Sequence, residues 1–124
     1  MSVPILKQGD VLIASIQAAL TDQALVQLQN ELADHVGRFR SRGVIIDVTA
    51  LDVLDSFATR TLRSVAYTAK LRGASAVIVG MQPDVAFSMV QLGLSLDGVA
   101  TALDLEDGLA ALARMENQGG RRVR

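Results

Sequence analysis

The segment of this chain whose residue types and spacing best suit a chemical modification is residues 54–57, Leu-Asp-Ser-Phe. They join a β-branched run, which predicts a buried strand, to an amphipathic pattern that begins at Ser56. The Ser56 hydroxyl therefore falls at or next to a helix N-terminus, where unpaired N–H groups and the positive end of the helix dipole collect. A phosphate there would add about −1.5 to −2 charge units. The helix end can accept that charge while Asp55 repels it, so modification should change the surface but not the fold.

A second interpretation is that Ser56 only caps the helix. Serine is among the preferred N-cap residues. The glutamate or glutamine that would complete a capping box is absent, because Thr59 occupies that position. Residue type alone still favours the cap, so the choice depends on the wider pattern of the chain.

Other residues that could support catalysis or metal binding lack the pattern they need. His35 is the only histidine, and Phe39 stands at i+4, where a second ligand would be required. Asp47, Asp52 and Asp55 could suggest a magnesium site, although turn formation and helix capping are commoner roles for such carboxylates. The chain has no cysteine and no Gly-x-x-x-x-Gly-Lys loop. We therefore expect no enzyme, no cofactor and no metal.

Length and charge favour one soluble, cytoplasmic domain. The chain has 124 residues and no cysteine, which suits a single domain in a reducing compartment. Residues 1–120 contain nine basic and thirteen acidic side chains, so this part gives no electrostatic reason to bind nucleic acid or an anionic membrane. The longest uncharged run, residues 85–96, is far shorter than the ~20 residues that span a bilayer.

Hydrophobic periodicity predicts an α/β fold with the order β-β-α-β-α-β-α-(β)-α. Strands are expected at residues 3–7, 10–16, 43–48, 75–79 and 99–103. Helices are expected at residues 22–40, with a stop near Gly43, and at residues 56–71, 83–92 and 105–115. The alternation implies a mixed, mostly parallel sheet of four to five strands with an N-terminal hairpin and about four helices. We expect one domain over residues 1–116 and a disordered basic tail over residues 117–124.

This order, with Val-Ile-Ile-Asp-Val-Thr at residues 44–49 and the Asp-Ser-Phe turn at residues 55–57, resembles a STAS domain. Within that family it is most similar to the RsbS-type antagonist of the bacterial stressosome. Further matching stretches lie at residues 80–86, 92–94 and 100–103. Ordinary anti-sigma-factor antagonists usually carry Asp-Ser-Ser-Gly at the turn. Here Phe57 and Ala58 take the last two positions, which favours the stressosome branch.

The resemblance implies that Ser56 is the phosphoacceptor of a partner serine/threonine kinase. Asp55 and Phe57 would be its neighbours, and Thr59 would be a less favoured second site. It also implies that the chain assembles with a STAS co-antagonist carrying a sensor domain into a large particle. That particle would sequester the kinase until Ser56 is phosphorylated.

A row of side chains on the helix that begins at Ser56 could contribute to partner binding. Its members are Arg60, Arg63, Tyr67 and Lys70. A solvated helix face is the commoner explanation of such a row. Alternatively Arg60 and Arg63 contact a partner, or Arg60 steadies a phosphate.

Two other functions stay open at this stage. The same fold could bind an anti-sigma factor directly in a one-to-one switch. It could also be a ligand carrier or a transporter-associated STAS domain, although no pocket is evident from the sequence. Whether the isolated chain forms a homodimer is also left open.

Overall fold

The computed structural model describes residues 3–122. Within them, five strands and four helices alternate after an initial pair of strands. The strands are β1 (Ile5–Gln8), β2 (Val11–Ser15), β3 (Gly43–Asp47), β4 (Ser75–Val79) and β5 (Ala100–Ala102). The helices are α1 (Asp22–Phe39), α2 (Ser56–Leu71), α3 (Pro83–Gln91) and α4 (Leu105–Arg122). The predicted α/β fold and its element order are confirmed.

The strands form one sheet in the order β1-β2-β3-β4-β5. The first two are antiparallel, joined through Gly9 with φ +60°, and each later pair is parallel. One row of register partners crosses the parallel strands: Ile13, Ile45, Val77 and Ala100. The predicted mixed, mostly parallel sheet with an N-terminal hairpin is therefore confirmed.

Helices cover both faces of the sheet, and each face has its own core. Helices α1, α2 and α3 pack on one face, where the strands contribute alternate side chains. These strand members of the larger core are Leu12, Ala14, Val44, Ile46, Ala76 and Ile78. On the other face α4 packs through Ala111 and Leu112 against a smaller core. Burial on both faces explains why β3 and β4 read as continuous apolar runs.

Two helix ends differ from the sequence prediction. Helix α1 ends at Phe39 with Arg40 as a left-handed C-cap (φ 50°), rather than near Gly43, which instead begins β3. Helix α4 continues to Arg122, so residues 117–122 of the predicted tail are helical. Residues 110–118 are mostly good helix formers, and each of the two glycines that follow lowers helix stability by only about 1 kcal/mol. Residues 1, 2, 123 and 124 lie outside the described residues.

Close approach of α4 to the sheet depends on Gly108, which is buried against the strands. A Cβ atom there would lie 2.7 Å from Val79 Cγ1 and 3.4 Å from Ile45 Cδ1. Gly37 in α1 is different, because it is exposed and the nearest atoms to such a Cβ belong to the flexible end of Arg72. The two glycines therefore provide a matched pair of positions for testing the effect of an added Cβ atom.

We predict opposite effects of alanine at these positions. Gly37→Ala should raise the free energy of unfolding by about 0.5–1 kcal/mol, since alanine favours the helix. Gly108→Ala should lower it by about 1–3 kcal/mol, since displacement of packed side chains outweighs the same helix preference. Urea denaturation measures both. A Gly108→Ala protein at least as stable as the wild type would contradict this packing.

Candidate functional site

The N-terminus of α2 is capped by Asp55 and not by Ser56. Asp55 is extended (φ −78°, ψ 178°), and its Oδ1 accepts the Ala58 N–H at 2.8 Å. Its carbonyl oxygen accepts the first helical hydrogen bond, from the Thr59 N–H at 2.9 Å. Ser56 is thus the first residue inside the helix. The interpretation of Ser56 as the cap is wrong, because the residue before it already performs that role.

The Ser56 side chain is exposed, as is that of Asp55, while Phe57 is half-buried beside it. As the first helical residue, Ser56 belongs to the turn whose N–H groups have no partner inside the helix. The arrangement therefore places an accessible hydroxyl at the positive end of a helix dipole. The side-chain hydrogen bonds found at this turn among the described residues involve Asp55 and Thr59 and not that hydroxyl.

Thr59 is placed differently from Ser56. Its side chain is only 1% exposed, and its Oγ1 donates a hydrogen bond to the Asp55 carbonyl oxygen at 2.9 Å. A kinase cannot reach this hydroxyl without local unfolding of α2. The helical spacing carried a signal for this, because Thr59 lies one turn before Leu62, a residue of the apolar face.

The segment between β3 and α2 is fixed at several points. Asp47 Oδ1 accepts the Thr49 N–H at 2.9 Å and also the Thr49 hydroxyl. The Gln82 side-chain amide donates to the Thr49 carbonyl oxygen at 2.8 Å. Gly80, with φ +81°, lies against the Thr49 hydroxyl, where a Cβ atom would have no room. Sequence reasoning placed Thr49, Gly80 and Gln82 in stretches that match the family but gave them no role here, although Asp-x-Thr at a strand end is a turn signal.

Further along the same segment, Leu51 and Leu54 are buried, with 6% and 7% exposure. These anchors hold the segment on the core up to the residue before Asp55. The start of α2, with Ser56, is therefore held in a fixed position on the core.

The aspartates at the end of β3 and after it act as turn formers and caps where the structure gives their contacts. Asp47 holds the turn at Thr49, and Asp55 caps α2, which confirms that interpretation for both. Among residues 3–117 no group of three or more His, Asp or Glu side chains is placed to hold a metal ion. His35 makes local contacts: its Nδ1 lies 2.7 Å from the Glu31 carbonyl oxygen and its ring 5.5 Å from that of Phe39.

The predicted row on α2 faces outward along the length of the helix. We call it the basic stripe: Arg60, Arg63, Tyr67 and Lys70. Arg63 is half-buried and the other three are exposed. The ion pairs found among the described side chains, Asp34–Arg38 and Arg42–Glu116, involve none of them. The structure thus brings Arg60 within one turn of Ser56 and leaves its charge unneutralised by those pairs.

Comparison with known proteins points to one family. A family model described as the STAS domain matches residues 2–107. The RsbT co-antagonist protein RsbRA of Bacillus subtilis (strain 168) is 23% identical over 109 residues. That alignment covers 88% of this chain but only 40% of RsbRA, so this chain spans less than half the length of that relative.

Two solved structures are similar to this chain over nearly its whole length. One is a variant of RsbS from Moorella thermoacetica in which a serine is replaced by glutamate. It is 37% identical with a TM-score of 0.79, and the match covers 93% of this chain and 97% of that one. The other is a chain in a structure of the stressosome, described as a signal integration and transduction hub. It is 35% identical with a TM-score of 0.74, covering 91% and 98%.

No helix in the described part of the chain is both long enough and apolar enough to cross a bilayer.

The cap at Asp55 can be tested by its effect on stability. Asp55→Ala should lower the free energy of unfolding by about 0.5–2 kcal/mol, and Asp55→Asn should retain most of it, since asparagine also accepts the Ala58 N–H. Asp52→Ala, at an exposed neighbouring carboxylate, is the matched control and should change little. Urea denaturation at one pH measures all three. Equal stabilities for Asp55→Ala and Asp52→Ala would mean that the cap does not form in solution.

Proposed function

The chain belongs to the STAS domain family, and from this premise we propose that it is a non-enzymatic scaffold of the stressosome type. In this function it sequesters a serine/threonine kinase and releases it when Ser56 is phosphorylated. One observation carries the proposal: the Ser56 hydroxyl is exposed at the start of α2, whose cap comes from Asp55. Phosphorylation then leaves the capping hydrogen bond intact.

The chain supplies only the nucleophile of this reaction. The kinase transfers the γ-phosphoryl group of ATP to Ser56 Oγ, so an O–P bond forms, ADP leaves and the hydroxyl proton passes to the kinase. The product carries about −1.5 to −2 charge units beside the Asp55 carboxylate. A fivefold loss of affinity for the kinase needs only about 1 kcal/mol. A phosphate at an interface can supply that through repulsion and desolvation.

The partners proposed for this chain are inferred from the names of the proteins to which it is similar. RsbRA is named as a co-antagonist of RsbT, and one similar solved chain is part of the stressosome. We therefore assign to this chain a co-antagonist with a sensor domain, an RsbT-type kinase and a large cytoplasmic assembly. The replacement of a serine by glutamate in the RsbS relative supports a role for added negative charge in this group.

A direct antagonist of an anti-sigma factor is the less favoured function. It would use the same fold and the same serine, and it needs no large assembly. The turn distinguishes the two, because Phe57 and Ala58 stand where ordinary antagonists usually carry serine and glycine. The half-buried Phe57 side chain also gives the surface beside Ser56 an apolar contact that those residues lack.

Phosphorylation by the RsbT-type kinase of the same genome tests the proposal. With labelled ATP, the wild-type chain and Thr59→Val should incorporate phosphate, because the Thr59 hydroxyl is buried. Ser56→Ala should incorporate none. Ser88→Ala, at an exposed serine of α3, is the matched control and should be labelled like the wild type. Labelling of Ser56→Ala to the wild-type extent would refute the site.

A further inference from the structure

The outer face of α2 has a feature that a merely solvated helix face does not require. All of its charged residues are basic: α2 contains Arg60, Arg63 and Lys70 and no Asp or Glu. Residues 1–120 as a whole have an excess of acidic over basic side chains. Chance mixing would be expected to place acidic residues on this face as well. A concentrated positive stripe on an acidic body creates a local field of the kind that selects acidic partners.

The other helices show what a solvated face looks like in this protein. Helix α1 mixes signs and pairs them at i,i+4, with Asp34 and Arg38 in an ion pair and Gln27 bonded to Glu31. The exposed side of α4 likewise carries both signs, including Arg114 and Glu116. Such mixing supports an isolated helix surface without a partner. The basic stripe lacks this mixing.

Apolar side chains accompany the charges of the basic stripe. Tyr67 is 64% exposed, and Leu71, one turn further along α2, is 70% exposed. Tyrosine and arginine are enriched in protein interfaces, where they bury a large area and keep a polar contact. The face therefore offers both charge and apolar area to a protein surface.

The basic stripe is also continuous with the modification site. Ser56 begins the same helix, and Arg60 follows it at i+4. A kinase that holds Ser56 in its active site must lie over this end of α2. The next turns of the helix, with Arg63 and Tyr67, extend directly from that contact.

We propose that the basic stripe is the docking surface for an acidic face of the kinase, and that phosphate on Ser56 weakens docking by pairing with Arg60. This proposal rests on the proposed function, since it takes the kinase as partner and Ser56 as the modified residue. An acid that precedes a base at i,i+4 is the favourable order on a helix. Arginine binds phosphate through parallel hydrogen bonds.

Phosphorylation would then act twice on the same surface. It removes Arg60 from the partner, and it places negative charge opposite an acidic face. The three positive charges of the basic stripe fall to a net of about one when the phosphate carries two negative charges. Release of the kinase follows from electrostatics, with no change in the fold.

Pairing between the phosphate and Arg60 can be tested without any kinase. Phosphoserine is installed at position 56 during translation, and the second ionisation of the phosphate is followed by ³¹P NMR. Because an i,i+4 pair favours the doubly charged form, Arg60→Gln should raise the midpoint by a few tenths of a pH unit. Lys70→Gln, at the far end of the helix, is the matched control. An unchanged midpoint in Arg60→Gln would overturn this part of the proposal.

Docking is tested by titrating the unphosphorylated chain with the RsbT-type kinase of the same genome. Arg63→Glu should weaken binding at least fivefold, and the wild-type affinity should fall as salt is raised. Lys70→Glu should also weaken binding. Because Lys70 is exposed, this second variant shows that the loss does not come from a folding defect at half-buried Arg63. Arg114→Glu makes the same charge change on α4, across the sheet, and should bind like the wild type.

The outcomes separate this inference from the function on which it rests. If Arg63→Glu and Lys70→Glu bind the kinase like Arg114→Glu while Ser56 is still phosphorylated, the docking surface is wrong and the proposed function stands. If the kinase neither binds nor phosphorylates the wild-type chain, the proposed function itself fails.

Discussion

The hydrogen bond from the Ala58 N–H to the Asp55 carboxylate decides where α2 begins. Because Asp55 satisfies the helix end, the hydroxyl of Ser56 is not used to hold the fold and stays exposed. A serine that served as the cap would have its accepting oxygen esterified on modification, so the phosphate would have to remake the capping contact. Here the adjacent residue carries that structural task. In the proposed function, this separation allows charge to be added at Ser56 without loss of the capping hydrogen bond.

The rest of the fold keeps this helix end in place. Ser56 lies beyond the carboxyl end of β3, the edge of a parallel sheet where functional residues commonly collect. The connecting segment is held by Asp47, by the Gln82 amide and by close contact with Gly80. Since Gly80 and Gln82 follow β4, two neighbouring strands together position one loop. An exposed site on such a support can change its charge while the core beneath it stays packed.

Local patterns predicted much of this architecture because they are set by local physics. The bounds of α2 followed from apolar spacing, and the buried strands from their β-branched runs. The cap of α2 was harder to predict, because Asp55 and Ser56 are adjacent and both are good cap residues. The extended backbone of Asp55 and its hydrogen bond from the Ala58 N–H distinguish them. The contact of Gln82 with Thr49 joins residues far apart in the chain, and no local pattern predicts such a pair.

The limits of local patterns also explain the two helix ends that differed from the sequence prediction. Arg40 takes a left-handed conformation that is usual for glycine, and the sequence offered Gly43 as the more conventional stop. Helix α4 passes through two glycines because the residues before them favour the helix. In α4 the stop signal of the glycines was outweighed by the residues before them, whereas α1 ended before Gly43 was reached. The functional site does not depend on either end.

The most direct test of the central claim is an amide ¹H–¹⁵N spectrum of the chain with phosphoserine at position 56, compared with the unmodified chain. If the phosphate changes the surface and leaves the fold intact, shifts should be confined to residues near the start of α2, from about Leu54 to Arg63, by the local reach of the added charge. The amide signals of residues in the strands should keep their positions in the spectrum. Shift changes spread through β3 and β4, or loss of dispersed signals, would contradict the account.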